Sequence, residues 1–123
     1  MGADQHGDYV YAGLYWAGAI EQFDVRTKTL VNVHEVPNGR WAQPYKMVPD
    51  KDHMVWFSNS AADMLGQLNP TTGKFTMYPL PTRGTNSRHL AIDESANTLT
   101  VWVPYTGARK IARVQFRTDT TKN

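Results

Sequence analysis

Hydrophobic residues recur along the chain in short alternating runs, separated by polar turns. The clearest stretch predicts four strands, at residues 44–49, 53–59, 63–69 and 74–80. Alternation such as Val55 and Phe57 is typical of a strand with one buried face. Pro79 cannot donate a ladder hydrogen bond, so the fourth strand is expected at an outer edge. No window of 12 residues keeps a helical period without Gly or Pro, so no helix longer than one or two turns is expected.

The alternating pattern occurs three times in register. Apolar and aromatic residues repeat at intervals of 45 and then 46 positions: Tyr11, Trp56 and Trp102; Ile20, Leu65 and Ile111; and Phe23, Leu68 and Val114. Four strands every ~40–45 residues are typical of a β-propeller blade. We therefore predict an all-β partial propeller of antiparallel four-stranded blades. Residues 1–123 form a single domain with repeats at 8–37, 43–81 and 86–117, and Trp56 and Trp102 are expected to pack between sheets.

The number of strands leaves the propeller incomplete. Counting along the chain gives three strands in the first unit (8–36), four in the second (44–80) and three in the third (88–116). The first unit is thus expected to lack its inner strand and the third its outer strand. Closed propellers have about four to eight blades, so the chain either associates with itself, belongs to a longer protein, or forms an open stack with polar ends. We favour a homo-oligomer, with a dimer closing a six-bladed ring from two sets of three units.

The amino-acid composition favours one structural class but does not indicate a particular reaction or ligand. The 123 residues include four Trp, six Tyr and four Phe, which favours β structure. The chain has no cysteine, which excludes disulfides and thiolate chemistry. A net charge of +2 is a weak argument for nucleic acid, which is not an expected partner. No membrane-length apolar run and no apolar signal core are present, so we expect a soluble protein without a signal peptide or membrane contact, and leave its compartment open.

The histidines in turns and on the first outer strand are expected to be solvated. His6 and His53 lie in polar turn contexts. His34 alternates with valines on a strand predicted at a sheet edge. None of the three is therefore expected to contribute to a site.

The segment "VWFSNSAADMLGQLNPTTGKFTMYPLP" (55–81) carries a family resemblance. It resembles the blade repeat of the virginiamycin B (streptogramin) lyase-like β-propellers, whose pattern runs W-F-x-E, then x-N-x-I-G-R-I, then F-T-E-Y-x-L-P. The match extends over about residues 9–116 and is most specific in the second unit. It covers about two and a half blades, less than half of the closed ring that the resemblance implies.

The resemblance implies a carbon–oxygen lyase acting on a cyclic depsipeptide. Its base would be the histidine of an E-P-H-G motif, and the glutamate of the W-F-x-E position would help to hold magnesium. Carboxylates suit this hard cation, and imidazole can abstract a proton near neutral pH. In the second unit the matching residues are Gln43, Tyr45 and Asn59. Amides thus replace both glutamates, and a phenol replaces the histidine.

The third unit departs from the pattern in the same way. Aligning the turns after the two first strands places Asn86 and Arg88 at the glutamate and histidine positions, and Tyr105 at the second-strand position. A shift of one residue would instead place His89 at the base position, still without a carboxylate. We therefore predict no complete catalytic site, with His89 as the one catalytic candidate. No metal site and no cofactor are expected, unless the lyase alternative holds and magnesium is required.

A cluster at one end of the predicted sheets favours binding. First strands of propellers line the central channel, so Tyr45 and Arg88 should be equivalent inner positions on adjacent blades. Asn59 and Tyr105 end neighbouring strands, and Trp41 lies just upstream of Tyr45. These five residues are candidates to hold a small polar or anionic ligand. The sequence thus predicts a structural or binding module that assembles with itself; the alternative is a streptogramin lyase-like enzyme or a fragment of one.

Overall fold

A computed structural model describes residues 1–116 and shows three antiparallel β-sheets. The all-β prediction is confirmed, since the one helical element among these residues is a single 3-10 turn at Gly39–Trp41. The eleven strands are β1 (Gly2–Ala3), β2 (Tyr9–Leu14), β3 (Ala19–Asp24), β4 (Thr29–Glu35), β5 (Pro44–Pro49), β6 (Val55–Asn59), β7 (Met64–Asn69), β8 (Lys74–Pro79), β9 (Ala91–Asp93), β10 (Thr100–Pro104) and β11 (Ile111–Gln115). Within this part of the chain, no helix is long and apolar enough to cross a bilayer.

Each sheet is a meander whose strands lie side by side in chain order. The second sheet, β5-β6-β7-β8, has the four predicted strands, and their bounds agree with the pattern to within two residues. Strand β8 lies at the outer edge and ends at Pro79, as the missing amide hydrogen requires. The propeller-blade architecture predicted from the repeat is therefore confirmed.

The first sheet has four strands, so the prediction that it lacks an inner strand is wrong. Gly2 and Ala3 form β1 and pair with Tyr11 and Val10 of β2. A strand of two small residues has no alternation, so the hydrophobic pattern could not reveal it. The turn after it did carry a signal, because Asp4 precedes Asp50 by 46 residues, within one residue of the interval of 45 between the first and second units.

The third sheet has three strands, β9, β10 and β11, within residues 1–116, in agreement with the strand count. Residue 117, the last of the third predicted repeat, and residues 117–123 of the predicted domain lie outside the described residues. Strand β9 spans only Ala91–Asp93. The preceding segment contributes an isolated bridge between Ser87 and Tyr105.

The sheets stack face to face, and each has a forward face, defined as the one that carries Tyr11, Trp56 or Trp102, and an opposite rear face. The forward face of the first sheet packs on the rear face of the second, in a core that includes Tyr11, Ile20, Val55, Phe57 and Leu68. The forward face of the second sheet packs in turn on the rear face of the third, in a core that includes Trp56, Leu65, Val101 and Val103. The repeat interval therefore corresponds to one sheet-to-sheet step.

The two repeated tryptophans differ in burial. Trp56 is 3% exposed and lies in one core with Val101 and Val103 of the third sheet, so its predicted packing between sheets is confirmed. Trp102 is 40% exposed and Ile111 66% exposed, so the same prediction for Trp102 is wrong. The physical reason is that no sheet within residues 1–116 covers the forward face of the third sheet.

Aspartates fix the turns between first and second strands. Asp50 is buried, and its Oδ1 accepts the backbone N–H groups of Asp52 and Met54 at 2.9 and 3.0 Å. Its Oδ2 accepts the Trp56 indole N–H at 2.8 Å. Asp93 occupies the equivalent turn of the third sheet and is bonded only by Ser95 among the described residues. The Asp50 carboxylate therefore locks both a turn and a core side chain.

Two of the histidines are more engaged than the sequence suggests. His53 is about half exposed, but its Nδ1 lies 2.7 Å from Oδ2 of the buried Asp4, which joins the first sheet to the second. This hydrogen bond and the charge of Asp4 raise the pKa of His53. His34 is buried, and its Nε2 lies 2.8 Å from Gln22 Oε1, so its predicted exposure is wrong. It pairs with Ile20 and shares the forward face, and burial lowers its pKa.

Removing the Asp50 carboxylate should destabilise the fold strongly. We expect Asp50→Ala to lower the free energy of unfolding by about 2–4 kcal/mol, because three N–H donors lose their acceptor, one of them in the core. The matched control is Asp93→Ala on the equivalent exposed turn, expected to cost about 1 kcal/mol or less. Urea unfolding followed by tryptophan fluorescence measures both, and equal losses would contradict the assigned role.

The contact between His53 and Asp4 should make stability depend on pH. Since the pKa of His53 is raised in the folded state, its stabilisation is fully present below the ordinary histidine value of about 6.5. It is lost as the pH rises through the raised value. Thermal melts of the wild type and His53→Gln between pH 5 and 9 should therefore show a difference that shrinks at high pH. His34 is present in both proteins, so its opposite contribution cancels in the difference between their melting temperatures. A difference that stays constant with pH would refute the charged pair of His53 and Asp4.

Candidate functional site

The candidate residues cluster at one end of the stack, called the rim here. It consists of the loops that lead into the first strands of the second and third sheets and those that follow the second strands: residues 15–18, 36–43, 60–63, 80–90 and 105–110. Hydrogen bonds join the sheets at this end, since Ser58 Oγ donates to the Arg88 carbonyl at 2.9 Å and Ser60 Oγ to the Ser87 carbonyl at 3.2 Å. The end of β6 and the loop that carries Arg88 are therefore held together at this end of the stack.

A row of aromatic rings runs along the rim from the first sheet to the third. Neighbouring ring centroids are 4.8 Å apart for Trp16 and Tyr15, 5.8 Å for Tyr15 and Tyr45, and 5.9 Å for Tyr45 and His89, and each pair meets edge to face. Trp16 is 77% exposed, and an open cavity of about 320 Å³ lies between it and Tyr45. Gly13 and Pro44 complete the lining. The row joins two predicted candidates, Tyr45 and His89, to two residues that sequence reasoning missed.

The missed residues, Tyr15 and Trp16, lie in the turn between β2 and β3. Repeat comparison passes over them because the equivalent positions of the other sheets, residues 60–61 and 106–107, are Ser-Ala and Thr-Gly. Two adjacent aromatic residues in an exposed turn are unusual, since large apolar side chains tend to be buried. This pair of adjacent aromatic residues was the signal in the sequence from which Tyr15 and Trp16 could have been identified as site candidates.

Arg88 occupies the position equivalent to Tyr45. Pro44 pairs with Asn59 and Ser87 with Tyr105, so the residues that follow, Tyr45 and Arg88, match without a shift. The preceding residues agree as well, since Gln43 and Asn86 both have positive φ, at 51° and 44°. Arg88 and His89 are both exposed on the rim. His89 thus reaches Tyr45 without the one-residue slip.

Asn59 and Tyr105 lie beneath the rim rather than on its surface. Asn59 is fully buried, and its Nδ2 donates to the Met64 carbonyl at 3.0 Å. Asn59 Oδ1 and the Tyr105 hydroxyl are buried without a hydrogen-bond partner among the described residues. Ser87 connects the two strand ends, because it bridges to Tyr105 and its Oγ donates to the Asn59 carbonyl at 3.3 Å.

Trp41 is exposed on the 3-10 turn ahead of β5. Its ring lies 5.2 Å from the guanidinium carbon of Arg40, which forms a cation–π contact. The turn is held close to the first sheet at Gly18, where any side chain would collide with the Gly39 backbone. Trp41 is on the rim as predicted, but its ring is not part of the aromatic row.

Asp63 holds the rim loop that carries Arg88 and His89. Its carboxylate accepts the Gly84 N–H at 3.0 Å and both the N–H and the hydroxyl of Thr85 at 2.9 Å. Partial burial opposes ionisation, but these hydrogen bonds outweigh it and lower the pKa of Asp63. The loop is therefore attached to the second sheet by a carboxylate that stays ionised.

The residues present do not fit the magnesium site that the family resemblance implies. Of the four positions that call for carboxylates, three hold the amides Gln43, Asn59 and Asn86 and the fourth holds Tyr105. None of these side chains brings a negative charge to a cation. Within residues 1–116, no three His, Asp or Glu side chains gather as a metal site would require. The rim instead offers aromatic faces, an imidazole and a guanidinium.

Comparison with known proteins supports the propeller fold. No family model matches the chain, and no curated protein matches it in sequence. A virginiamycin B lyase from Staphylococcus aureus has a similar structure, with a TM-score of 0.75 and 16% identity over 90% of this chain and 38% of that one. A streptogramin B lyase gives a TM-score of 0.77 and 18% identity over 97% of this chain and 40% of that one.

A catalytically inactive variant of the S. aureus lyase, solved with quinupristin, gives a TM-score of 0.67 and 17% identity over 94% of this chain and 40% of that one. The chain thus spans about two fifths of the length of these relatives. At such identities the likeness establishes the fold and leaves the activity to the site itself. The three sheets have the fold of a segment of the streptogramin lyase β-propellers.

Proposed function

We propose that this chain is a propeller-type binding module that captures a small anionic ligand on its rim and assembles with itself. The observation that carries the proposal is the aromatic row, which runs from the first sheet to the loop ahead of the third and ends at His89, the residue after Arg88. Exposed rings that contact one another across separate sheets form a preorganised surface. Preorganisation lowers the entropic cost of binding.

The rim chemistry suits a ligand with a flat apolar part and a negative group. Trp16 and Tyr45 present exposed ring surface on either side of the open cavity, against which a planar group can stack. Arg88 supplies a guanidinium that pairs with carboxylate or phosphate, and His89 adds a hydrogen-bond donor next to Tyr45. No residue that lines the open cavity carries a carboxylate, so an anion bound there is not repelled by the cavity wall.

Self-assembly is the second part of the proposal. The forward face of the third sheet and the rear face of the first carry exposed apolar residues that include Trp102, Ile111, Leu30 and Val33. Apolar area that stays exposed to water on these faces loses roughly 25 cal/mol of stabilising free energy per Å². Two copies can cover both faces and close a ring of six sheets, within the usual range of about four to eight blades.

A lyase, or a segment of a longer lyase, is the alternative function. The observations that favour it are the lyase-like fold and the position of His89, exposed on the rim beside Tyr45. It would need acidic or metal-binding groups that the matched positions of this chain do not supply. A binding module, by contrast, requires no acidic or metal-binding groups beyond the residues that the rim already has.

Binding on the rim can be tested with benzoate, a planar ring that carries one carboxylate. In an NMR titration of the ¹⁵N-labelled chain, we expect shifts at Tyr15, Tyr45 and His89, and about tenfold weaker binding for Arg88→Gln through loss of the charged hydrogen bond. Arg26→Gln, at the opposite end of the first sheet, is the control and should bind as the wild type does. Shifts confined to other parts of the chain would refute the site.

The lyase alternative makes a separate prediction. Purified chain incubated with quinupristin and magnesium should leave the ring intact, because the amides at positions 43, 59 and 86 cannot supply a charged metal site. Chromatography of the reaction mixture measures the linear product. Magnesium-dependent ring opening that disappears in His89→Ala would instead establish the lyase.

A further inference from the structure

We propose that the rear face of the first sheet docks on the forward face of the third sheet of a second copy, with Glu21 of one copy opposite Arg113 of the other. The inference deepens the self-assembly part of the proposed function and rests on it.

The two internal interfaces show how these sheets recognise one another. In each, a forward face meets a rear face: Tyr11 and Ile20 pack against the second sheet, and Trp56 and Leu65 against the third. The contact is therefore directional and repeats along the stack. The two faces left open at the ends of the stack are one forward and one rear, which is the combination that already packs twice within the chain.

The open forward face belongs to the third sheet. Trp102 lies at its centre and pairs with Ala91 on one side and Arg113 on the other. The Arg113 guanidinium carbon lies 5.9 Å from the Trp102 ring centroid, and both side chains are exposed. Asp93 shares this face on β9, the edge strand opposite to the one that carries Arg113, and its Oδ1 accepts the backbone N–H and the hydroxyl of Ser95.

The open rear face belongs to the first sheet. Its apolar residues are Val10, Ala12, Phe23, Leu30 and Val33, of which Leu30 and Val33 are exposed. Glu21 lies at the centre of this face, paired with Ala12 and Val33. It forms no ion pair within the part of the chain that the structure describes.

Charge at two repeat positions distinguishes the open faces from the internal ones. Residues equivalent to Arg113 on the other forward faces are Gln22 and Gln67, and residues equivalent to Glu21 on the other rear faces are Gly66 and Ala112. Both internal interfaces are thus neutral at these positions, whereas each open face carries a charge of the opposite sign to the other.

The opposite charges select the occupant and its orientation. Forward against forward would bring two Arg113 residues together, and rear against rear two Glu21 residues, so like charges disfavour both. Forward against rear brings the face that carries Arg113 against the face that carries Glu21, and keeps the forward-to-rear direction of the two internal interfaces. Two such contacts related by a two-fold axis close a ring from two copies. A second copy therefore satisfies both the apolar areas and the charges.

Charge reversal tests the pairing. We expect a dimer by sedimentation velocity at micromolar concentration, and a dissociation constant raised about tenfold or more by Glu21→Arg or Arg113→Glu alone. The double variant Glu21→Arg with Arg113→Glu should return to within about threefold of the wild type, since the pair is restored in reverse. Lys74→Glu, on the outer strand of the second sheet, makes the same charge change as a control and should leave the dimer intact.

Cysteine cross-linking supplies a test that does not depend on the stability of the charge variants. Since the chain has no cysteine, Glu21→Cys and Arg113→Cys copies, mixed and oxidised, should form a disulfide-linked heterodimer. Either variant alone should not link efficiently. Linked homodimers of one variant, or a dimer insensitive to both reversals without rescue, would refute this interface while leaving self-assembly in place. A monomer at all concentrations would refute self-assembly itself, as expected if further sheets of a longer chain cover these faces, and would leave the rim proposal standing.

Discussion

The need to cover both faces of every sheet governs this molecule. A sheet of four short strands has two apolar faces, and neither can be left to water without losing much of the small margin of folded stability. The second sheet meets this requirement fully, with the first sheet on its rear face and the third on its forward face. The outer two sheets meet it on one side only within residues 1–116. The exposure of Trp102, at a position where Trp56 is buried, is the direct consequence.

In this architecture, several acidic residues serve as hydrogen-bond acceptors that hold turns and loops. Asp4, Asp50 and Asp93 hold the turns at the end of the stack away from the rim, where their carboxylates accept backbone N–H groups. Asp63 is committed to fixing a rim loop. Each of these four carboxylates accepts hydrogen bonds that hold a turn or a loop. This explains in physical terms why the rim presents aromatic and cationic groups although the chain contains eleven acidic residues.

The sequence predicted the features that a local pattern of residues determines, and missed those that depend on contacts between residues far apart in the chain. The second sheet was predictable because its strands alternate and both faces are buried, and the burial of Trp56 followed from the repeat. The strand at Gly2 and Ala3 could not be found by alternation, since it exists through pairing with β2. The burial of His34 depends on the face that its strand presents, and a one-residue shift reverses that face. The position of Tyr45 and Arg88 was predictable from the register, whereas the aromatic row required knowing that a turn of the first sheet reaches the first strand of the second.

The rim and the open faces are connected by geometry. The aromatic row starts at Trp16 on the first sheet and ends at His89 ahead of the third, so it runs in the direction of the stack. In a ring closed forward to rear, the third sheet of one copy adjoins the first sheet of the other. The cationic end of each row then lies next to the Trp16 end of its counterpart. A ligand that contacts both ends would bind the assembled form better than the separate chains, and mass action would then couple binding to assembly. The direction in which the sheets stack in the core is thus also the direction of the aromatic row on the rim.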